Sequence, residues 1–454
     1  MVIEMKKLIF IFFIFSCTVF AFENKNLIEF DKIKAKQDFI FEENKKMQLK
    51  DILEYTFNNN DTLNAEREKT KAIKTEKTQV FGGNALPNIG AEFDYGWTDF
   101  DQKMGTFNLA DDGETKGGKI YLQQPIFKSG RTTMQVKMIN NKIEMQKNKL
   151  TDVEQEVLFN TIMATLDLLQ SREILAITIK NEESLKNSYD YVVARRKVGR
   201  ETLANVSLAE ARYSSAKTNT ILANTDYLNA KAKFSRITKI NADLVDIDYE
   251  KIFEEYFKYE ILFDDVLRSA LNKNPKYQMA KSNYEMNRNN LKLAKTNFLP
   301  EVYLNAQIAK TDTTDIIRNE DKSVGLVVKI PLFQSGTEYA KHKQASYSLN
   351  QSKFNLNDVK DVLINQCVST FDEFLSSKSI VLSSKAYRDA AKLTLENTFA
   401  EEKIGRASLV DLLDRRKEYF DTEISYLKYK INVIKYYYEL KVLMGDLTIK
   451  NLFN

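Results

Sequence analysis

The chain contains two copies of one unit. Gln124-Pro125-Ile126-Phe127-Lys128-Ser129-Gly130 is matched by Ile330-Pro331-Leu332-Phe333-Gln334-Ser335-Gly336, an offset of 331 − 125 = 206. Lys197-Val198-Gly199-Arg200 is matched by Lys403-Ile404-Gly405-Arg406, and 405 − 199 is again 206. Upstream, Leu86-Pro87 pairs with Leu299-Pro300 at 213, and Asp51-Ile52-Leu53 with Asp265-Val266-Leu267 at 214; the difference of seven falls in one loop. Anchors that recur in the same order and spacing mark an internal duplication. The copies span 48–240 and 263–448, with a connection at 241–262 and a short tail at 449–454.

Helix breakers follow the same plan. Neither Gly nor Pro occurs from Arg131 to Val198 or from Thr337 to Ile404. Stretches that long, rich in Leu, Lys, Glu, Ala and Gln, predict long helices. The 66 positions from Arg131 to Arg196 would make a helix roughly 100 Å long at 1.5 Å per residue. Val136, Ile139, Ile143, Leu150, Val153 and Val157 recur at coiled-coil spacing, with Gln146 in one core slot. Such a helix must lie beside others in a bundle or tube wall. Each copy also predicts a first helix, from about Leu49 to Gly82 and from about Phe263 to Phe298. Gly82-Gly83 reads as a helix end, and Leu-Pro as the stop, because a residue before proline disfavours the α region.

Between these helices the pattern switches to period two. Ile89, Ala91, Phe93, Tyr95 and Trp97 alternate with Asn88, Glu92, Asp94 and Thr98. Ile120 and Leu122 alternate with Lys119, Tyr121 and Gln123. In the second copy, Val302, Leu304, Ala306 and Ile308, then Val324, Leu326, Val328 and Ile330, do the same. Each run is about nine to ten residues, the length of a tilted membrane-spanning strand. The first intervening segment, Asp99 to Gly117, holds Asp111, Asp112 and Glu114, and the second holds Asp312, Asp315, Glu320 and Asp321; both read as solvated loops. Four strands cannot close a membrane barrel, whose smallest form has about eight. An open sheet in lipid would strand its edge groups at several kcal/mol each. Several chains must therefore share one barrel, and counting alone leaves three and four chains open.

The N-terminus reads as a secretory signal over 1–21, with Lys6 and Lys7, an apolar run from Leu8 to Phe15, and small residues at Val19 and Ala21, followed by a polar lead-in at 22–47. Cys17 raises lipidation, against a poor lipobox at Ile14-Phe15-Ser16. Cleavage after Ala21 would leave Cys367 alone, so no internal disulfide is expected. Lys plus Arg is 67 and Asp plus Glu 63, a balance that gives no reason to expect nucleic acid. The single His342 argues against a metal or catalytic centre, and no phosphate-binding glycine motif occurs, so neither an enzyme nor a cofactor is expected.

From about Leu49 to Leu447 the chain resembles the TolC-type outer membrane efflux proteins. The resemblance is carried by the doubled Leu-Pro, the doubled Pro-(Ile/Leu)-Phe-x-Ser-Gly, the glycine turns at 199 and 405, and Asp411-Leu412-Leu413-Asp414. It implies a mixed α/β membrane fold in the outer membrane, reaching into the periplasm. Four strands per chain would enter a shared twelve-stranded trimeric β-barrel, and long antiparallel coiled-coil helices would form a periplasmic α-barrel. It also implies the partners of an export duct: a periplasmic adaptor (membrane fusion protein) and an inner-membrane RND, ABC or MFS transporter, for drug efflux or type I secretion. On the family pattern, Gly199, Arg200, Gly405 and Arg406 fall at the adaptor-docking tips. Asp411 and Asp414 fall at the periplasmic gate ring. Pro87, Pro125, Gly130, Pro300, Pro331 and Gly336 fall at strand–helix junctions. The chain departs from the pattern at Asn205, where some members carry an acidic residue, and at Ala407, where some carry a basic one. Two rival classes remain: a soluble periplasmic coiled-coil adaptor or structural protein, which would lack membrane-length strands, and an envelope enzyme, which would need a site not evident here.

Overall fold

The structure is a computed structural model. It describes residues 46–104, 107–313 and 317–452, with side chains outside 98–113 and 313–318. The expected signal segment with Cys17, most of the lead-in, Asp315, and the side chains of Asp111 and Asp112 lie outside the described residues. The chain divides into two units, Met1–Gln48 with Asp243–Asp246, and Leu49–Ala242 with Ile247–Asn454. In the described part of the first, Met47 forms a parallel bridge with Val245. The Met47 N–H donates to the Leu244 carbonyl at 2.8 Å, and Lys46 pairs with Asp246 at 3.3 Å.

The second unit repeats one order of elements. The first copy runs α1 (Leu49–Asn59), α2 (Asp61–Ala85), β1 (Asn88–Met104), β2 (Phe107–Phe127), α3 (Arg131–Lys197) and α4 (Leu203–Thr238). A connecting helix α5 (Tyr249–Lys258) follows. The second copy runs α6 (Phe263–Lys273), α7 (Pro275–Thr296), β3 (Glu301–Thr313), β4 (Ile317–Lys329), α8 (Thr337–Lys403) and α9 (Leu409–Leu443), and a short α10 (Ile449–Leu452) ends the described chain. Both long helices have 67 residues.

The first expected helix of each copy is in fact two. Asn60 caps α2, its side chain accepting from the Leu63 N–H at 3.0 Å. Asn274 caps α7, accepting from the Tyr277 N–H at 3.2 Å, with Pro275 in the first helical position, where its missing N–H breaks no bond. Apolar spacing runs through both breaks, so only Asn60 at the first and Asn274-Pro275 at the second betray them. Gly82-Gly83 does not end α2, which continues to Ala85. The chain turns extended at Leu86 (φ −92°, ψ 158°), the residue before proline.

The four strands form one antiparallel sheet in chain order. Its register brings the alternations into phase. Ile89, Leu122, Ala306 and Val324 lie in one row across all four strands. On the other face Asn88, Gln123, Asn305 and Gly325 form a row, and Gly90, Tyr121, Gln307 and Ser323 the next. The apolar face is bare, with Phe93 at 83% and Val324 at 76% exposure. The strands outrun the expected nine to ten residues, at 17 and 21 in the first hairpin and 13 each in the second. Much of what read as solvated loop is therefore ladder: Asp99 pairs with Asp112, and Lys310 with Glu320. Backbone pairing needs no apolar side chains once the strands leave lipid, so the apolar alternation marks only part of each strand.

The helices share a core midway along their length. Leu158, Ile162 and Leu166 of α3 meet Leu363, Cys367, Phe374 and Val381 of α8, Ile431, Ile434 and Tyr438 of α9, and Val266 and Ala270 of α6. Cys367 is fully buried there as a small apolar residue. The connection docks through α5: Lys430 of α9 is buried in an ion pair with Glu250, under the rings of Tyr249, Phe253 and Tyr426 at 5.0–5.4 Å. Among the described residues no helix is long and apolar enough to cross a membrane. The sheet is the element with a face suited to lipid.

That face makes a prediction. Leu326→Lys on the apolar side should cost about 2–4 kcal/mol near a bilayer midplane and abolish the detergent-resistant assembled species. Gln307→Lys, on the polar side, should leave it intact. Gel migration of unheated samples compares the two, and equal behaviour would mean that the faces are misassigned.

Candidate functional site

The chemistry left over from packing collects where the long helices end. The α3–α4 and α8–α9 turns are built alike. Gly199 and Gly405 both take φ +75°, which an L side chain rarely adopts. The Gly199 N–H donates to the Arg196 carbonyl at 3.0 Å, and the Arg200 N–H to Arg195 at 2.9 Å. Gly405 donates to Glu402 and Arg406 to Glu401 at the same two distances. This is a Schellman closure of both helix C-termini. It turns Arg200 and Arg406 outward. Both are exposed, and neither has an ion-pair partner among the described residues.

The returning helices are capped in parallel. Thr202 Oγ1 accepts from the Asn205 N–H at 3.1 Å, and Ser408 Oγ from the Asp411 N–H at 3.1 Å. Asp411 completes a capping box by accepting from the Ser408 N–H at 3.1 Å and from its hydroxyl at 2.6 Å. These bonds from the Ser408 side chain and backbone hold the Asp411 carboxyl below its ordinary range. Asp414, one turn further on, has no capping role. It receives a bond from Arg212 of α4 at 2.8 Å.

Three contacts here were not read from the sequence. Arg212 is one, because nothing local marks it as a partner for Asp414. Arg416 of α9 is another. It reaches across to α3, donating to the Ser184 carbonyl at 2.8 Å and to Ser188 Oγ at 2.6 Å, and burial pushes its guanidinium pKa down. The third is Arg195, which joins the two tips by pairing with Glu402 at 3.2 Å and also lies 3.7 Å from Glu201.

At the other end of the long helices lie the expected junction residues. Gly130 (φ +80°) and Gly336 (φ +76°) occupy left-handed N-cap positions. Pro87 and Pro300 precede β1 and β3, Pro331 follows β4, and Pro125 sits at a register shift in β2. Ser129 donates to the Pro300 carbonyl, and Arg131 pairs with Glu301 at 2.6 Å, joining the start of α3 to β3.

A sheet with one apolar and one polar face, open at both edges and carried on paired long helices, defines an envelope channel assembled from several chains. The chain belongs to the outer membrane efflux protein family, whose model matches residues 74–238 and 266–446. It is similar to the outer membrane efflux protein BepC of Brucella suis biovar 1, 24% identical over 367 residues, covering 77% of this chain and 78% of that one. The outer membrane protein TolC of Escherichia coli K12 is 21% identical over 395 residues, covering 83% and 78%. The crystal structure of the outer membrane protein VceC of Vibrio cholerae superposes with a TM-score of 0.77 at 12% identity, covering 87% and 96%. The fold is thus TolC-like, with four strands per chain entering a shared trimeric barrel and the helices an α-barrel. The protein is an outer-membrane exit duct for efflux or secretion that extends into the periplasm and works with partner proteins. The rival reading as a soluble adaptor or structural protein is not favoured.

The capping box carries a pH dependence. The folded state holds Asp411 below its ordinary pKa, so the carboxylate stabilises the start of α9 at neutral pH. That contribution should fade as pH falls from the usual carboxylate range through the lowered folded value. Ser408→Ala removes the cap, and amide exchange over 408–415 at neutral pH should speed up roughly fivefold. Exchange mass spectrometry reads both effects, and unchanged rates would refute them.

Proposed function

We propose that the chain is the exit duct of a three-part export machine. A periplasmic adaptor docks on its helix tips, and an inner-membrane transporter of the RND, ABC or MFS class feeds it. The duct itself is passive, without catalysis or cofactor. The observation that carries the docking reading is the doubled turn: two Schellman closures, each ending in an exposed arginine, Arg200 and Arg406, with no ion-pair partner among the described residues. Helix closure accounts for Gly199 and Gly405 but not for cations at the same place in both copies. Acidic or polar adaptor groups suit such tips. Arg200→Glu with Arg406→Glu should abolish crosslinking to the adaptor while leaving the trimer's mass unchanged. Undiminished crosslinking would remove the docking role.

We assign the duct's entrance to Asp411 and Asp414. They lie three residues apart, so they share one side of α9 just past the turn. Three chains bring 2 × 3 = 6 carboxylates, and the Arg212 partner of Asp414 returns three positive charges, leaving an acidic ring. Such rings attract cations and repel anions. Asp411→Asn with Asp414→Asn should lower cation preference in a planar bilayer and weaken block by multivalent cations from the periplasmic side. Selectivity and block identical to the parent would confine both residues to helix capping and pairing.

A further inference from the structure

The two copies have diverged in charge at their tips, and the duplication turns that divergence into a contact between chains. At the offset of 206, position 195 aligns with 401 and position 196 with 402. The residues are Arg195-Arg196 in the first copy and Glu401-Glu402 in the second. Within one chain Arg195 meets Glu402 at 3.2 Å, with both side chains at least partly buried. In a closed ring of duplicated chains, first copy meets second copy twice: once within a chain and once across the boundary to the next. Exchanging the copies' roles carries Arg195 to Glu401 and Glu402 to Arg196. The result is again a pair of opposite charges, with the signs reversed.

The two residues so named are free to meet. Arg196 and Glu401 are exposed, and neither has an ion-pair partner among the described residues; the Arg196 guanidinium reaches only the Glu201 carbonyl, at 3.0 Å. The sheet passes the same exchange independently. Shifting β2 residues by 206 and β3 residues by −213 carries the observed partners Ile120 and Ile308 to Leu326 and Tyr95. Leu122 and Ala306 go to Val328 and Phe93. Apolar falls on apolar, on the one bare face, although the inter-chain edges were not used to find the rule.

We propose that Glu401 of each chain pairs with Arg196 of the next, so that the tip ring alternates Arg195–Glu402 within chains and Glu401–Arg196 between them. The partner is a second copy of this chain, and the proposal rests on the trimeric reading. The charge pattern acts as an assembly code. A misplaced contact of first copy on first copy would oppose Arg to Arg, and second on second Glu to Glu, both repulsive. Rim ion pairs contribute little affinity, and their larger effect is on register and choice of neighbour.

The test uses the full chain with Cys17 and Cys367 replaced. Arg196→Cys with Glu401→Cys, treated with a short bis-maleimide, should give a covalent trimer on a denaturing gel, and either single cysteine should give none. A trimer by light scattering that yields only monomer on the gel overturns the pairing and leaves the trimer standing. A monomer by light scattering overturns the trimeric reading itself. As a second arm, Glu401→Arg should lower the temperature at which the detergent-resistant trimer dissociates, and adding Arg196→Glu should restore it. A double variant no better than the single also overturns the pairing.

Discussion

Every backbone group that enters hydrocarbon must find a hydrogen-bond partner, because water is not there to take its place. The sheet obeys this inside the chain: β1 through β4 pair continuously, and the second hairpin pairs with the first through β2 and β3. It fails at the two outer edges, where β1 and β4 have no further strand beside them among the described residues. One chain is therefore only part of a structure, and the bare face of Phe93, Tyr95, Trp97, Val324 and Leu326 belongs to a barrel that a single copy cannot make. Assembly from several chains follows from the chemistry of an edge, with duplication supplying two hairpins where an unduplicated ancestor would supply one.

The helical part obeys a different rule. Its long helices carry no continuous apolar stripe, and polar residues such as Gln146, Thr161 and Thr165 are buried among them. Specific pairs then decide which helix lies against which. Asp167 of α3 shows how. Burial lifts its carboxyl pKa, but bonds from Lys233 of α4 and Lys435 of α9, both at 2.9 Å, outweigh it and hold the group below its usual range. That one side chain ties both returning helices to α3. Arg416 on Ser184 and Ser188 repeats the tie nearer the tip without an opposing charge.

The element order was legible because the duplication lets each copy check the other: a Pro-(Ile/Leu)-Phe or a Lys-x-Gly-Arg seen twice is worth more than either alone. The sheet's polar and apolar faces were legible because its alternation has the shortest period a pattern can have. The breaks at Asn60 and Asn274 were missed because the apolar spacing runs on through both sides; Pro275 was the one further sign, at the second break alone. The ends of the strands were missed because they leave the apolar band before they leave the ladder. At the tips, turns and caps could be read because they are local. Arg212 on Asp414 and Arg416 on Ser188 are separated by about two hundred positions, and no local pattern names such partners.

The equal length of α3 and α8 has an evolutionary consequence. Each residue inserted in an α-helix advances its end by 1.5 Å and rotates it by about 100°. An insertion in one long helix alone would leave two sets of turns at different heights, facing different ways, and would break the level rim they form. The two helices behave as matched legs, whose lengths can drift only together and only in steps near whole heptads. The first hairpin carries no such obligation. Its 39 positions from Pro87 to Pro125, against 32 from Pro300 to Pro331, show where seven residues could be gained in one copy alone. Variation in length is thereby channelled to the far end of the barrel, the end whose reach has no counterpart to match.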